Sequence, residues 1–316
     1  MDLLFGPVPS RRLGKSLGVN NIPNKICSYG CVYCQLGRTS NFQVERRKYY
    51  SPEEIFSEAR SKIEKIDRKD IDYITFVPDG EPTLDINLGR EAKLLKSLNI
   101  PLAIITNSSL VDDDGVREDL MNFDLVSLKV DAVSEENWKK INNPDPRLNL
   151  DSIKRGIVEL SSKYKGRLIT ETMMINGINY DKEISQIAEF LKIIHPSESY
   201  ISIPIRPTPE IWALPPDEGI LNKAYQAFSE VVNKVEFLTS SEVGEFYSTG
   251  DFEKDVLSIT SVHPIRDDFM DRFLKRYGKD YDTIEMMIEE KKIVKVLFND
   301  HYFFLRNFRE RVSLLH

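Results

Sequence analysis

The feature that most constrains this chain is an alternation. Short apolar runs recur along the first two thirds of its 316 residues, and amphipathic stretches separate them. The runs are residues 16–21, 71–77, 101–106, 124–131, 167–175 and 199–205. The stretches 51–66, 86–98, 151–163 and 182–194 read as helices. Ile71-Asp72-Tyr73-Ile74-Thr75-Phe76-Val77 is rich in the β-branched and aromatic residues that favour strands. Pro101-Leu102-Ala103-Ile104-Ile105-Thr106 is apolar almost throughout, as in a strand covered on both faces of a parallel sheet. Ser51-Pro52-Glu53-Glu54 marks a helix start, with Ser51 at the N-cap, Pro52 at the first helical position and Glu54 closing a capping box. Strands alternating with helices predict an α/β fold built on one parallel sheet. In α/β barrels the loops at the C-terminal ends of the strands carry the chemistry.

One such loop follows the first strand: Cys27-Ser28-Tyr29-Gly30-Cys31-Val32-Tyr33-Cys34. It holds all three cysteines of the chain. An odd count cannot pair off fully, and no signal peptide marks the chain as secreted, so a disulfide framework does not fit. Zinc takes four protein ligands, or three with water in a catalytic site. An iron–sulfur cluster fits better, because thiolates are its usual ligands. The C-x3-C-x2-C spacing supplies three ligands to a cluster of four irons and leaves one iron open to a small molecule.

With an aromatic, Tyr33, just before the last cysteine, this loop resembles the signature of the radical S-adenosylmethionine (SAM) superfamily. The resemblance implies that Cys27, Cys31 and Cys34 hold a [4Fe-4S] cluster whose open iron binds the amino and carboxylate groups of SAM. One electron then cleaves the sulfonium, and the 5′-deoxyadenosyl radical abstracts a hydrogen from a substrate. It also implies an electron donor such as flavodoxin or ferredoxin, oxidoreductase-type chemistry and an anaerobic or well-reduced setting. The implied architecture is a partial (β/α)6 barrel, open on one side to admit a large substrate.

Further motifs carry the same resemblance. Asp79-Gly80-Glu81-Pro82 follows the second strand and resembles the family's Gly-Gly-Glu turn, which holds the amino end of SAM. Gly80, Glu81 and Pro82 match, whereas Asp79 stands where the pattern has a glycine. By composition alone the stretch is a turn. Thr106, Asn107 and Ser108 end the third strand, where the family places polar groups near the SAM ribose or the substrate; a helix cap or turn is the plainer reading. In the fourth strand, period-two alternation puts Ser127, Lys129 and Asp131 on one face. That face looks into the cavity, near the cofactor. For Lys129 two readings stay open: an ion pair with Asp131 or a cofactor carboxylate, or a Schiff-base lysine of lowered pKa. Arg206, after the sixth strand, is placed to clamp a carboxylate or phosphate. Arg11, Arg12 and Lys15 form either a solvated arm or a site for an anionic group of cofactor or substrate.

Residues 5–14 and Gln35-Leu36-Gly37 resemble a radical-SAM subfamily of iron–sulfur oxidoreductases related to the wyosine-forming tRNA enzyme. That enzyme uses a second cluster, for which no cysteine remains here. The barrel is expected over residues 1–239. Residues 240–316 read as a linker plus a small α+β module whose helix, helix, hairpin order is that of a winged helix. Its acidic and basic residues nearly balance, which favours docking of protein, or a narrow RNA contact, over broad DNA binding. Alternatives for the whole chain are tRNA-base modification, a peptide- or protein-modifying or glycyl-radical-activating enzyme, and a non-enzymatic cluster carrier or DNA-binding regulator. The net charge of −7 argues against broad nucleic-acid binding. No apolar run approaches a membrane span, so no membrane partner and a cytoplasmic location are expected.

Overall fold

The computed structural model describes residues 3–238, 250–260, 264–298 and 300–307. Strand β1 (Leu4–Ser10) turns back antiparallel onto β2 (Gly14–Val19). Two short strands, β3 (Ile26–Cys27) and β4 (Asn41–Phe42), pair in parallel on either side of the cysteine loop. Strands and helices then alternate: α1 (Pro52–Ile63), β5 (Tyr73–Phe76), α2 (Leu88–Lys96), β6 (Leu102–Thr106), α3 (Asp114–Leu120), β7 (Leu125–Lys129) and α4 (Glu135–Asn142). The alternation continues with α5 (Leu150–Lys163), β8 (Arg167–Met173), α6 (Glu183–Ile194), β9 (Glu198–Ser202), α7 (Glu218–Ser229) and β10 (Val235–Leu238).

Eight strands form one sheet in the order β1-β2-β5-β6-β7-β8-β9-β10. From β2 to β10 every neighbouring pair is parallel. The sheet curls into a half-barrel. The six expected strands are β2 and β5 to β9. The antiparallel β1, the parallel edge strand β10 and helices α3, α4 and α7 are additional. Gly6, Pro7 and Pro9 read as turn formers, yet they lie in β1. At a sheet edge a proline's missing N–H takes no ladder bond away, and the register shifts between Phe5 and Val8 to accommodate the sequence.

Period-two alternation sorts the strand residues onto two faces. On the outer face Leu17, Val19, Ile74, Phe76, Leu102, Ile104, Val126 and Leu128 pack beneath the helices, meeting residues such as Ile55, Leu88, Val116, Ile157 and Leu191. On the concave face Ala103, Leu125, Ile169 and Tyr200 form an apolar floor, capped by Leu13 from the β1–β2 turn. Above that floor, toward the C-terminal strand ends, the same face turns polar. The 11–15 segment is only partly a solvated arm: Gly14 and Lys15 are exposed, while Arg11 and Arg12 are half-buried. Leu13 is buried, Arg12 pairs with Glu171 of β8, and Lys15 pairs with Asp70 at 2.6 Å. Protein carboxylates meet these two cations. The capping box at α1 also does not form: the Ser51 hydroxyl donates to Glu53 (3.0 Å), which is itself paired with Arg90.

The C-terminal segment runs α8 (Phe252–Thr260), β11 (Ile265–Arg266), α9 (Asp267–Tyr277), α10 (Tyr281–Glu289), β12 (Ile293–Phe298) and β13 (His301–Arg306), with sheet order β11-β13-β12. Most of the stretch read as a linker lies outside the described residues, and its last residues begin α8. Phe252, Val256, Ile265, Phe273 and Phe304 form a separate core, and Phe5 and Val8 of β1 belong to it. The edge strand of the half-barrel thus serves as the seat of this segment. No helix among the described residues is long and apolar enough to cross a membrane.

Candidate active site

Backbone hydrogen bonds hold the cysteine loop from two sides. On one side the Lys25 N–H donates to the Asp79 carbonyl (2.8 Å) and the Glu81 N–H to the Ile26 carbonyl (3.1 Å). This close approach requires glycine at position 80: a Cβ there would lie 2.1 Å from the Ile26 carbonyl oxygen and 2.7 Å from Ile22 Cδ1. On the other side lies the C-terminus of α4, whose last carbonyls lack helical donors. The Gly30 N–H donates to the Asn142 carbonyl and the Val32 N–H to that of Ile141, both at 3.0 Å. Asn143, in the left-handed region at φ 40°, ends the helix. Tyr29 packs edge-on against Trp138, whose indole N–H donates to the Tyr29 hydroxyl (3.0 Å).

Burial pushes all three thiols above their ordinary pKa, Cys31 to about 12, with the nearby charges of Glu81 at Cys27 and Asp131 at Cys31 adding to the effect. The thiols are therefore neutral without metal, and metal ligation must displace their protons. Among the described residues no three His, Cys, Asp or Glu side chains converge on a point for one metal ion. A four-iron cube takes each thiolate on a different iron and does not need that convergence. The donor set, three thiols on one clamped loop, fits such a cluster. Two side-chain amides also reach the sulfurs: Asn107 Nδ2 lies 3.5 Å from Cys27 Sγ, and Asn142 Nδ2 3.5 Å from Cys31 Sγ.

Glu81 joins the Gly80 turn to the end of β6. Its buried carboxylate accepts from the Thr83 N–H (3.1 Å), the Thr83 hydroxyl (2.6 Å), the Thr106 hydroxyl (2.7 Å) and the Asn107 N–H (2.7 Å). Burial raises its pKa, and these four donors oppose the rise. Pro82 begins a buried 3-10 turn, Pro82–Leu84. Ser108 sits at φ 68° with a buried hydroxyl that finds no partner among the described residues. Asp79, the departure from glycine, is buried and faces Lys25 Nζ at 3.1 Å. It therefore serves as the carboxylate of an ion pair beside the cysteine loop.

The polar part of the concave face centres on Lys129 and Glu171. Lys129 Nζ lies 2.8 Å from Glu171 Oε1, 4.0 Å from Asp131 Oδ1 and 5.0 Å from the Tyr33 ring centroid. Glu171 also accepts from the Ser202 hydroxyl (3.0 Å) and meets Arg12. Burial lowers the Lys129 pKa and Asp131 opposes this. Asp131 accepts from the Tyr33 hydroxyl, from Asn142 Nδ2 (2.7 Å) and from the Met173 N–H (2.8 Å). Ser127 is buried two residues before Lys129 on the same face. Arg206 donates to Gln35, just after Cys34, and so meets the cysteine loop. Glu171, Asn142 and Trp138 are members that sequence reading missed. Alternation over residues 167–175 puts Glu171 on the face of Ile169, which was the available signal.

The cysteine loop, the glycine turn locked to it and the curled parallel sheet together define a class. Residues 21–191, more than half of the chain, match the family model of the radical SAM superfamily. The chain belongs to that superfamily and is an enzyme of its kind. Membership implies SAM and a [4Fe-4S] cluster. Within the superfamily, a UPF0026 protein of Methanocaldococcus jannaschii is 48% identical over 314 residues, 98% of either chain. A UPF0026 protein of Synechocystis is 33% identical over 208 residues, 65% of this chain and 77% of its own. Among solved structures, a radical SAM methyltransferase from Sphaerobacter thermophilus aligns over 71% of this chain and 67% of its own, with TM-score 0.51 and 15% identity. SuiB of Streptococcus suis, bound to its precursor peptide SuiA, aligns over 68% of this chain and 47% of its own, with TM-score 0.52 and 12% identity. These two likenesses concern the fold.

Proposed function

We propose that this chain binds one [4Fe-4S] cluster through Cys27, Cys31 and Cys34, binds SAM beside it, and abstracts hydrogen from a large substrate admitted through the open side of the half-barrel. The observation that carries the reading is the cysteine loop clamped between the Gly80 turn and the C-terminus of α4. When bound, the pair supplies a radical strong enough to break an unactivated C–H bond. The protein's part is to bind, orient and exclude water. Tyr33, Gly80, Glu81, Pro82, Thr106, Asn107 and Ser108 are the residues we assign to SAM, and the Ser108 hydroxyl, without a partner among the described residues, supports a polar ligand there. Ser127 and Lys129 face the same cavity. The short Lys129–Glu171 contact supports a charged lysine that positions a substrate or cofactor carboxylate, rather than a Schiff-base lysine. Arg206 holds the loop through Gln35 while standing at the rim.

The layout of the C-terminal segment supports a winged-helix-like module, and its seat on β1 supports a docking role toward a macromolecular substrate, RNA or protein. An electron donor such as flavodoxin or ferredoxin, and a cytoplasmic setting, complete the reading. Anaerobic reconstitution is expected to give about four irons per chain, with each Cys→Ala variant losing the cluster. Reduced protein with SAM is expected to release 5′-deoxyadenosine slowly without substrate. A stable zinc form that takes up no iron refutes the reading.

A further inference from the structure

Two of the three cysteine sulfurs each meet a side-chain amide donor held in place by other hydrogen bonds. Asn107 is held by its own N–H to Glu81 (2.7 Å), by the Ser109 N–H to its Oδ1 (2.9 Å) and by its Nδ2 to the Ser28 hydroxyl (2.9 Å). Asn142 is held by its Nδ2 to Asp131 Oδ2 (2.7 Å), and its carbonyl receives Gly30. A side-chain amide carries two N–H donors, so each asparagine serves one oxygen and one sulfur together. Both approach sulfur at 3.5 Å, Asn107 to Cys27 and Asn142 to Cys31.

An N–H donor stabilises an acceptor more as that acceptor becomes more negative. An electron entering a cluster increases the negative charge on its sulfurs, and hydrogen bonds to those sulfurs are among the determinants of its potential. At these two positions the Glu81 charge near Cys27 and the Asp131 charge near Cys31 oppose reduction, while the Tyr29 N–H at Cys27 and the Tyr33 hydroxyl at Cys31 act in the same direction as the asparagines. We propose that Asn107 and Asn142 are potential-setting residues, whose N–H···S bonds favour the reduced state of the cluster. This rests on the cluster reading above and adds to it a role for two residues on different elements, one at the end of β6 and one at the end of α4.

The test is an anaerobic redox titration of the reconstituted full chain, with mediators and dithionite supplying the electron and the reduced cluster read by electron paramagnetic resonance. Asn107→Ala and Asn142→Leu are each expected to lower the reduced-to-oxidised ratio at fixed potential by about tenfold, about 59 mV for a one-electron couple. The Asn142 change also removes a partner of Asp131, so the Asn107 variant, whose backbone bond to Glu81 remains, is decisive where the two differ. Iron is measured in the same samples. Variants with full iron and an unchanged potential overturn the proposal, as does loss of the cluster in both. Native protein that takes up no iron overturns the cluster reading instead, so the two failures are distinguishable.

Discussion

Replacing Gly80 by Ala tests whether the glycine turn and the cysteine loop are one unit. The new Cβ would lie 2.1 Å from the Ile26 carbonyl oxygen and 3.1 Å from the carbonyl carbon. Carbon–oxygen contacts ordinarily close at about 3.3 Å, so the two segments must part by about 1 Å. Both Ile26 atoms are backbone, so no rotamer change relieves their contact, although the Ile22 Cδ1 methyl, at 2.7 Å, is side chain and can turn aside. Separation also stretches the Glu81 N–H to Ile26 carbonyl bond, now 3.1 Å. Overpacking costs about 1–3 kcal/mol and the lost hydrogen bond about 1 kcal/mol, giving about 2–4 kcal/mol in all. Ile26 directly precedes Cys27, so a displacement of that size carries the first cysteine away from its neighbours. The assay is urea unfolding of the metal-free variant beside native protein, followed by anaerobic iron loading. The variant is expected to unfold at clearly lower urea and to hold less than half the native iron. Native iron content with a stability change below about 0.5 kcal/mol would show that the clamp is not what shapes the loop.

Gly219→Ala is the matching control. Its Cβ meets nothing within 4 Å in α7, so a gain of about 0.5 kcal/mol is expected in the same urea assay. Phe5→Ala removes a ring, 2% exposed, that belongs to the C-terminal core; a loss of about 3–5 kcal/mol is expected, with faster hydrogen exchange across α8 rather than across β6 and β7. Glu91 is buried against Asp85, and burial with that neighbouring charge raises its pKa well above the ordinary value of 4.5. The folded chain then keeps a proton that the unfolded chain releases, so this group's stabilisation is present at low pH and is lost as pH rises past 4.5 through neutrality. Glu91→Gln is expected to flatten the fall in melting temperature between about pH 5 and 8, and an unchanged slope would count against the assignment.

Local patterns carried much of the fold and the loop. Strands β2 and β5 to β9 show in the sequence because their residues are β-branched and apolar over the length of a strand. Strand β10 does not, because Glu236 and Phe237 are exposed at the sheet edge. Helix α4 hides behind Asn142-Asn143-Pro144, which has loop composition although Asn142 is still helical. Cys27, Cys31 and Cys34 lie close in sequence, so their spacing shows, whereas Gly80 and Glu81 are legible through the resemblance of their turn to the family motif. Glu171 has no motif. It enters the site because parallel register sets it opposite Lys129 on the neighbouring strand, and no single segment encodes that register.

Arg12 extends the same point to charge. In sequence it belongs to a basic run among turn formers, but Ser10 pairs with Gly14 and Leu13 joins the concave floor. The turn therefore carries Arg12 inward to the carboxylate that also holds Lys129. Two half-buried cations then share Glu171, with Asp131 at 4.0 Å from Lys129 as the next carboxylate. Removing Lys129 would leave Glu171 still paired with Arg12, whereas removing Glu171 would take the shared anion from both cations. The electrostatic balance of the cavity thus rests on Glu171 more than on Lys129, although the lysine is the residue that stands out in the sequence.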